Sequence, residues 1–177
     1  MTELELLEFV KKVQKMKCEM QTLELKTARE GCPKRLYDTL SSFSNQDVGG
    51  IILFGIDEKD DYRIAGVYDM QDLQKKVNEQ CKQMVPVVRP VFTSVMIEDK
   101  SVVSAEIPGI DITERPCYYG GVGRTKGSYV RAGDSDEPMS DYEIYSYEAF
   151  RKNIRMTFGS MSALICQRLI PQGLRNI

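Results

Sequence analysis

Five charged residues flank two apolar segments closely enough to do chemistry together. Glu19, Glu24 and Lys26 surround the segment 22–26, and Asp57 and Glu58 follow directly on Ile51–Ile56. Carboxylates gathered at strand ends offer the hard oxygen ligands that Mg²⁺ and Mn²⁺ prefer, and a lysine beside them can steady an attacked phosphodiester. The open alternative is a solvated strand face carrying Glu24 and Lys26, with Asp57 and Glu58 in an ordinary turn. The chain contains no histidine, which removes the commonest general base and the Ser–His and Cys–His pairs. Any catalysis therefore rests on carboxylates, lysine, tyrosine or a metal.

A second group lies between Arg115 and Arg131, where Arg115, Tyr118, Tyr119, Arg124, Lys126, Tyr129 and Arg131 stand among glycines. Cations interleaved with aromatics suit contacts to a nucleic-acid backbone with occasional base stacking. Equally open is a hairpin whose tyrosines cover the core and whose arginines pair with Asp134 and Asp136. Lys34, Arg35, Lys75, Lys76 and Lys82 either extend a basic surface or mark solvated helix faces. Gly49 and Gly50, after Asn45, permit positive φ and close backbone approach, which fits a phosphate cradle or a tight helix-to-strand turn. No Gly-x-x-x-x-Gly-Lys-Ser/Thr phosphate loop occurs.

The elements that must position these groups are legible from periodicity. Leu6, Val10, Val13 and Met16 recur at helical spacing from Glu3 to Lys17, with acids early and lysines late as the helix dipole prefers. Thr22 to Lys26 alternates as a strand. Pro33 suits a first helical turn, and Leu36, Leu40 and Phe43 continue one stripe to Asn45. Ile51–Ile56 is apolar throughout, the mark of a strand buried on both faces at the centre of a sheet. A returning strand is expected over Tyr62–Val67 and a helix over about Asp69–Met84. Phe92–Glu98 and Ser101–Ile107 form a hairpin joined by Asp99-Lys100. Pro108–Gly127 is a long loop of functional type. Ser128–Ala132 is a short strand, and Ser140 with Glu143 caps a helix to about Arg155. Met156, Met161, Leu164, Ile165 and Leu169 pattern a further amphipathic helix. This order of elements predicts an α+β fold, a mixed β-sheet with packed helices.

The 177 residues, 42% of them hydrophobic, suffice for one domain with a full core. The expected division is a domain over 1–155 and a C-terminal tail over 156–177 leading towards a further region. Net charge is −2 and the pI about 5.4, against a wholly basic nucleic-acid binder. The distribution is uneven: all 26 acids lie at or before Glu148, whereas Arg151, Lys152, Arg155, Arg168 and Arg175 follow it. That basic end suits a polyanion, an acidic partner or a helix entering another domain. Five cysteines without CxxC spacing indicate reduced thiols and a cytoplasmic protein rather than disulfides or a zinc site. No stretch has the length of a membrane helix, and the acidic start is not a signal peptide.

The motif order resembles the Schlafen/AlbA-like domain family over about residues 10–150. That family has a Glu-hydrophobic-Lys strand, a helix ending in Ser-Ala-Phe-Ala-Asn, a Gly-Gly turn and a buried strand closing in Gly-Val-Asp-Asp. Here these are Glu24-Leu25-Lys26, Ser41-Ser42-Phe43-Ser44-Asn45, Gly49-Gly50 and Gly55-Ile56-Asp57-Glu58, with Tyr129-Val130-Arg131-Ala132-Gly133 matching a later Tyr-Val-Arg-x-Gly strand. One residue more than the family pattern separates Asn45 from Gly49, and Glu58 replaces an aspartate.

The resemblance implies an AlbA-like fold. Bacterial members usually carry the domain at the N-terminus of longer transcriptional regulators described as RecG-helicase-like or as divergent AAA proteins. It therefore implies a DNA- or RNA-binding domain, DNA first, in which Arg124, Lys126 and Arg131 contact phosphates and Lys26 and Asn45 line the site beside them. Because the Schlafen core joins two related lobes, it also implies a homodimer. The Schlafen-type branch is a ribonuclease, so the alternative is a nuclease using Mg²⁺ or Mn²⁺ on Glu19, Glu24 and Glu58, with Asp57 in reserve. Outside that alternative no cofactor is expected. A third reading is a dimerisation or partner-binding module docking through the tail helix.

Overall fold

The computed structural model describes residues 1–18 and 20–154. α1 (Glu3–Met16) starts in a capping box: the Thr2 hydroxyl accepts the Glu5 amide at 3.3 Å and the Glu5 carboxylate accepts the Thr2 amide at 2.7 Å. Two amides without helical partners are thereby satisfied. α1 buries Leu6, Val10 and Val13 and stops where Lys17 turns left-handed.

The sheet comprises β1 (Leu23–Lys26), β2 (Gly50–Phe54), β6 (Val91–Ile97) and β7 (Lys100–Ile107), in the spatial order β1-β2-β7-β6. β1 runs parallel to β2 while the other neighbours are antiparallel, which makes the sheet mixed and the fold α+β. Alternation along the central strands feeds two cores. Leu53 and Val102 join Leu23, Leu25 and the buried stripe of α1 on one face. Ile52, Phe54, Val103 and Ala105 meet α2 (Tyr37–Ser44) and α3 (Met70–Cys81) on the other. With both faces covered, β2 has no need of polar residues, which is why its sequence is an unbroken apolar run.

Short pairs decorate this frame. β3 (Ile56–Asp57) pairs with β4 (Arg63–Ile64), β5 (Met84–Val85) with β8 (Tyr118–Tyr119), and β9 (Tyr129–Ala132) with β10 (Ser135–Pro138). α4 (Arg124–Gly127) is a single turn. Residues 141–154 are helical, started by the expected Ser140–Glu143 box, whose reciprocal bonds measure 2.8 and 3.3 Å. The expected tail over 156–177, with its amphipathic pattern, lies outside the described residues. No helix among the described residues is long and apolar enough to cross a membrane.

Two local expectations are corrected. The helix expected from Pro33 begins only at Tyr37, because Gln80 of α3 holds the preceding segment: it accepts the Leu36 amide at 2.9 Å and donates to the Pro33 carbonyl at 2.8 Å. The hairpin turns at Glu98-Asp99, one residue earlier than expected, with Ile97 opposite Lys100. Both turn residues have positive φ, 49° and 61°, the conformation that matches a two-residue turn to strand twist. This register sends Val102 to the α1 core and Val103 to the α2–α3 core; a slip by one would exchange them.

Cys81 and Cys117 are fully buried and free, whereas Cys18 is exposed. Burial pushes each of the two inner thiols up to about 12, so at pH 8 only about one in 10⁴ is thiolate. Native-state labelling with a thiol reagent at pH 8 is expected to modify Cys18 and to leave Cys81 and Cys117 protected until the chain unfolds. Peptide mapping checks this, and rapid native modification of Cys117 would contradict the packing.

Candidate functional site

The Ser-Ser-Phe-Ser-Asn segment works as a clamp. The Asn45 side chain treats Cys117 as a β-partner, accepting its amide at 2.7 Å and donating to its carbonyl at 2.9 Å. It also donates to the Tyr129 carbonyl at 3.0 Å. Ser41 donates to the Cys117 carbonyl at 2.7 Å and accepts the Tyr129 amide at 2.8 Å. Backbone groups of Cys117, just before β8, and of Tyr129, in β9, which would be costly to bury unpaired, are thus satisfied from α2 and its C-cap. Asn45 is spent on this task rather than facing a ligand.

Arg131 is likewise turned inward, its side chain 1% exposed. Its guanidinium contacts Glu24 and Asp136, each at 2.9 Å, donates to the Leu23 carbonyl at 3.2 Å, and lies 5.2 Å from the Phe43 ring centroid. Asp136 also accepts the hydroxyls of Thr39 at 2.7 Å and Ser42 at 2.5 Å. Glu24 carries a second cation, Lys26. Arg131 is therefore corrected from a phosphate contact to a buried tie between β1, α2 and the β9–β10 hairpin. The alternative of an arginine paired with Asp136 is the one realised.

Among the described residues, the carboxylates expected to hold a metal do not gather. Both Glu24 oxygens face cations. Glu58 is exposed, with the Tyr62 hydroxyl at 3.5 Å. Asp57 accepts the Lys59 amide at 3.1 Å and, with Lys26, lines a cavity of about 510 Å³. Glu19 lies outside the described residues, and among the described ones no three acidic, cysteine or histidine side chains are placed to hold a metal ion. Gly49, at φ 69°, sits where a Cβ would lie 2.1 Å from the Ile107 carbonyl oxygen, so the Gly-Gly turn serves close backbone packing.

The second group divides. Tyr118 and Tyr119 alternate along β8, and Arg124 and Lys126 follow them to different sides. Arg124 stands 5.5 Å from the Tyr118 ring, is ion-paired to Glu148, and shares a recess with Arg151. Lys126 instead lines a cleft of about 320 Å³ with Lys34, Arg35, Tyr37, Tyr119 and Tyr129. The Tyr37 and Tyr119 rings stack at 3.8 Å and 14°. The stack is possible because position 121 is glycine, where a Cβ would stand 2.4 Å from the Tyr119 ring. Arg35 bridges Asp38 at 2.9 Å and the Tyr129 hydroxyl at 3.4 Å. Burial is the main cause raising both Tyr37 and Tyr129, with Tyr119 adding to the first and Asp38 to the second. The phenols are therefore neutral hydrogen-bonding groups at neutral pH. Lys34 and Lys126 are exposed. Tyr37 is not among the residues expected here; its signal is its place just after Lys34-Arg35, at the first position of α2, where the segment held by Gln80 ends.

A family model described as Schlafen, AlbA_2 matches residues 19–140. Among solved structures, the N-terminal domain of a protein from Nitrosomonas europaea described as related to the ATP-dependent DNA helicase RecG is similar. It is 25% identical, with a TM-score of 0.57, over 75% of this chain and 92% of that one. The DIP2311 protein from Corynebacterium diphtheriae shares the fold at 19% identity and a TM-score of 0.51, over 72% of this chain but 24% of its own. Comparison with curated proteins gives no match.

Glu24→Gln is expected to destabilise the fold by roughly 3 kcal/mol, because it removes one partner of a buried guanidinium. Glu58→Gln, at an exposed site, should stay within about 0.5 kcal/mol. Urea unfolding of both variants checks the contrast; equal stabilities would remove Arg131 from its structural role. Gly121→Ala should displace the Tyr119 ring and reduce the near-ultraviolet circular dichroism of the stacked pair while the far-ultraviolet signal is retained.

Proposed function

The chain belongs to the Schlafen AlbA_2 family, and on that premise we propose that it is a nucleic-acid-binding domain, for DNA in first place, serving a bacterial transcriptional regulator. The observation that carries the reading is the meeting of Lys34 and Lys126 at one aromatic-lined cleft, both exposed and neither ion-paired among the described residues. Lys26, Arg124 and Arg131 each already face a carboxylate. An ion-paired cation must give up its partner to serve a phosphate; a free one exchanges only counterions. The N. europaea domain, from a protein described as related to a DNA helicase, supports the same class. Arg124, Arg151 and Lys152 around a neighbouring recess supply further backbone contacts once Glu148 is displaced. Pairing of two copies, which would double this surface, belongs to the same reading and is checked by sedimentation of the protein with and without DNA.

Fluorescence anisotropy with labelled DNA and RNA, titrated across salt, tests the reading. Affinity is expected to fall linearly in log–log form, and Lys126→Ala is expected to weaken binding and reduce the slope by about 1. Binding that ignores salt, or that is unchanged when Lys34 and Lys126 are both replaced by alanine, would overturn the placement of the interface.

A further inference from the structure

We propose that the cleft between Tyr37, Tyr119 and Lys126 takes an unpaired nucleobase, so that the domain binds single-stranded nucleic acid in preference to duplex. The inference rests on the nucleic-acid reading above and specifies its ligand.

The division of the cleft into parts leads to it. Its rim carries cations, with Lys34 and Lys126 exposed, while its walls are the stacked Tyr37–Tyr119 pair, Tyr129 and Val122. A phosphate contact needs the rim alone, since an oxyanion gains nothing from an aromatic wall. A concavity of about 320 Å³ is at the small end of small-molecule sites, which combine apolar walls with a few placed polar groups. In a duplex the base faces are stacked on one another and cannot enter such a recess. An unpaired base can, and it brings both a π-face and an edge.

Asp38 strengthens the assignment. It is the one acid lining the cleft, and a carboxylate there repels phosphate. It suits the N–H groups on the edge of a base, as acidic side chains accept from base amines elsewhere. Arg35 fixes it from one side and holds the Tyr129 hydroxyl from the other. Tyr129 is itself held at its amide and carbonyl by Ser41 and Asn45. The polar groups are thus held in place before a ligand arrives, which lowers the ordering cost of binding. The recess at Tyr118 also has two cations, but Arg124 is ion-paired to Glu148 there and a single tyrosine lines it in place of a stacked pair. The cavity at Lys26 and Asp57 has no aromatic lining, and the cleft beside Gly49 has Arg89 as its single cation.

The test uses the intact protein and three probes of equal length: a single-stranded oligonucleotide, its blunt duplex, and the same strand with abasic sites, which keeps the phosphates and removes the bases. The single strand is expected to bind most tightly, and the abasic strand at least about fivefold more weakly, the low end for one lost base–aromatic stack. Tyr119→Ala should reduce the intact strand to the abasic level, with Tyr119→Phe retaining affinity. If all three probes bind alike while Lys126→Ala weakens each of them, the base pocket is wrong and the nucleic-acid interface stands. If none binds, both readings fall together. The abasic comparison is made on unmodified protein, so a misfolded variant cannot decide the outcome.

Discussion

A guanidinium sealed inside the protein is the constraint around which the rest is arranged. Removing a charge from water costs several kcal/mol even after relaxation, and only close, well-aimed partners offset it. Arg131 has Glu24 and Asp136, and Glu24 has Lys26 in addition. The four charges sum to zero. Its Nε is buried and meets no acceptor among the described residues, so compensation depends on the two terminal nitrogens. Because its partners come from β1 and from the β9–β10 hairpin, the pairing joins the edge of the sheet to a hairpin the main sheet does not include. Phe43 supplies the face over which the guanidinium lies, and Thr39 and Ser42 hold Asp136. The polar side of α2 is therefore as buried as its apolar side.

That burial gives the cleft a firm wall. α2 faces the sheet through Leu40 and Phe43 and faces β8 and β9 through Ser41 and Asn45. Those two residues fix Cys117 and Tyr129 by five hydrogen bonds that run between side chain and backbone. Tyr119 is two residues from Cys117 along the chain, and Tyr37 is the first residue of α2, so both members of the stacked pair are carried by clamped elements. A surface feature is thus positioned by buried polar chemistry, the precision of its side chains inherited from the core.

The parts legible in the sequence are those decided locally. The stripe of α1, the alternation of β1, the unbroken apolar run of β2 and the Ser140 cap each depend on neighbours a few positions away. Arg131 shows where such reading stops. A cation two residues after a tyrosine has the same signature whether it faces phosphate or is buried among acids, and the choice was made by Glu24 and by Leu23, 108 positions distant. Asn45 has the same ambiguity, since a side-chain amide serves backbone and base edges equally well. The late start of α2 was hidden for a related reason. Pro33 is locally compatible with a helix, and Gln80, 47 positions away, holds the segment in another conformation.

The acidic composition bears on the interface less than it first suggests. At physiological salt the field of an exposed charge fades over about 8 Å, so a polyanion responds to the charges beside it. The overall balance is −2, whereas the cleft is lined by Lys34, Arg35 and Lys126 against Asp38 alone, an excess of two positive charges. On the proposed reading, long-range repulsion would slow the approach of a nucleic acid without preventing the local contact. A modest local excess beside an aromatic recess would then make stacking a larger share of the binding free energy than in a strongly basic groove, and that share is what would distinguish an exposed base from a paired one.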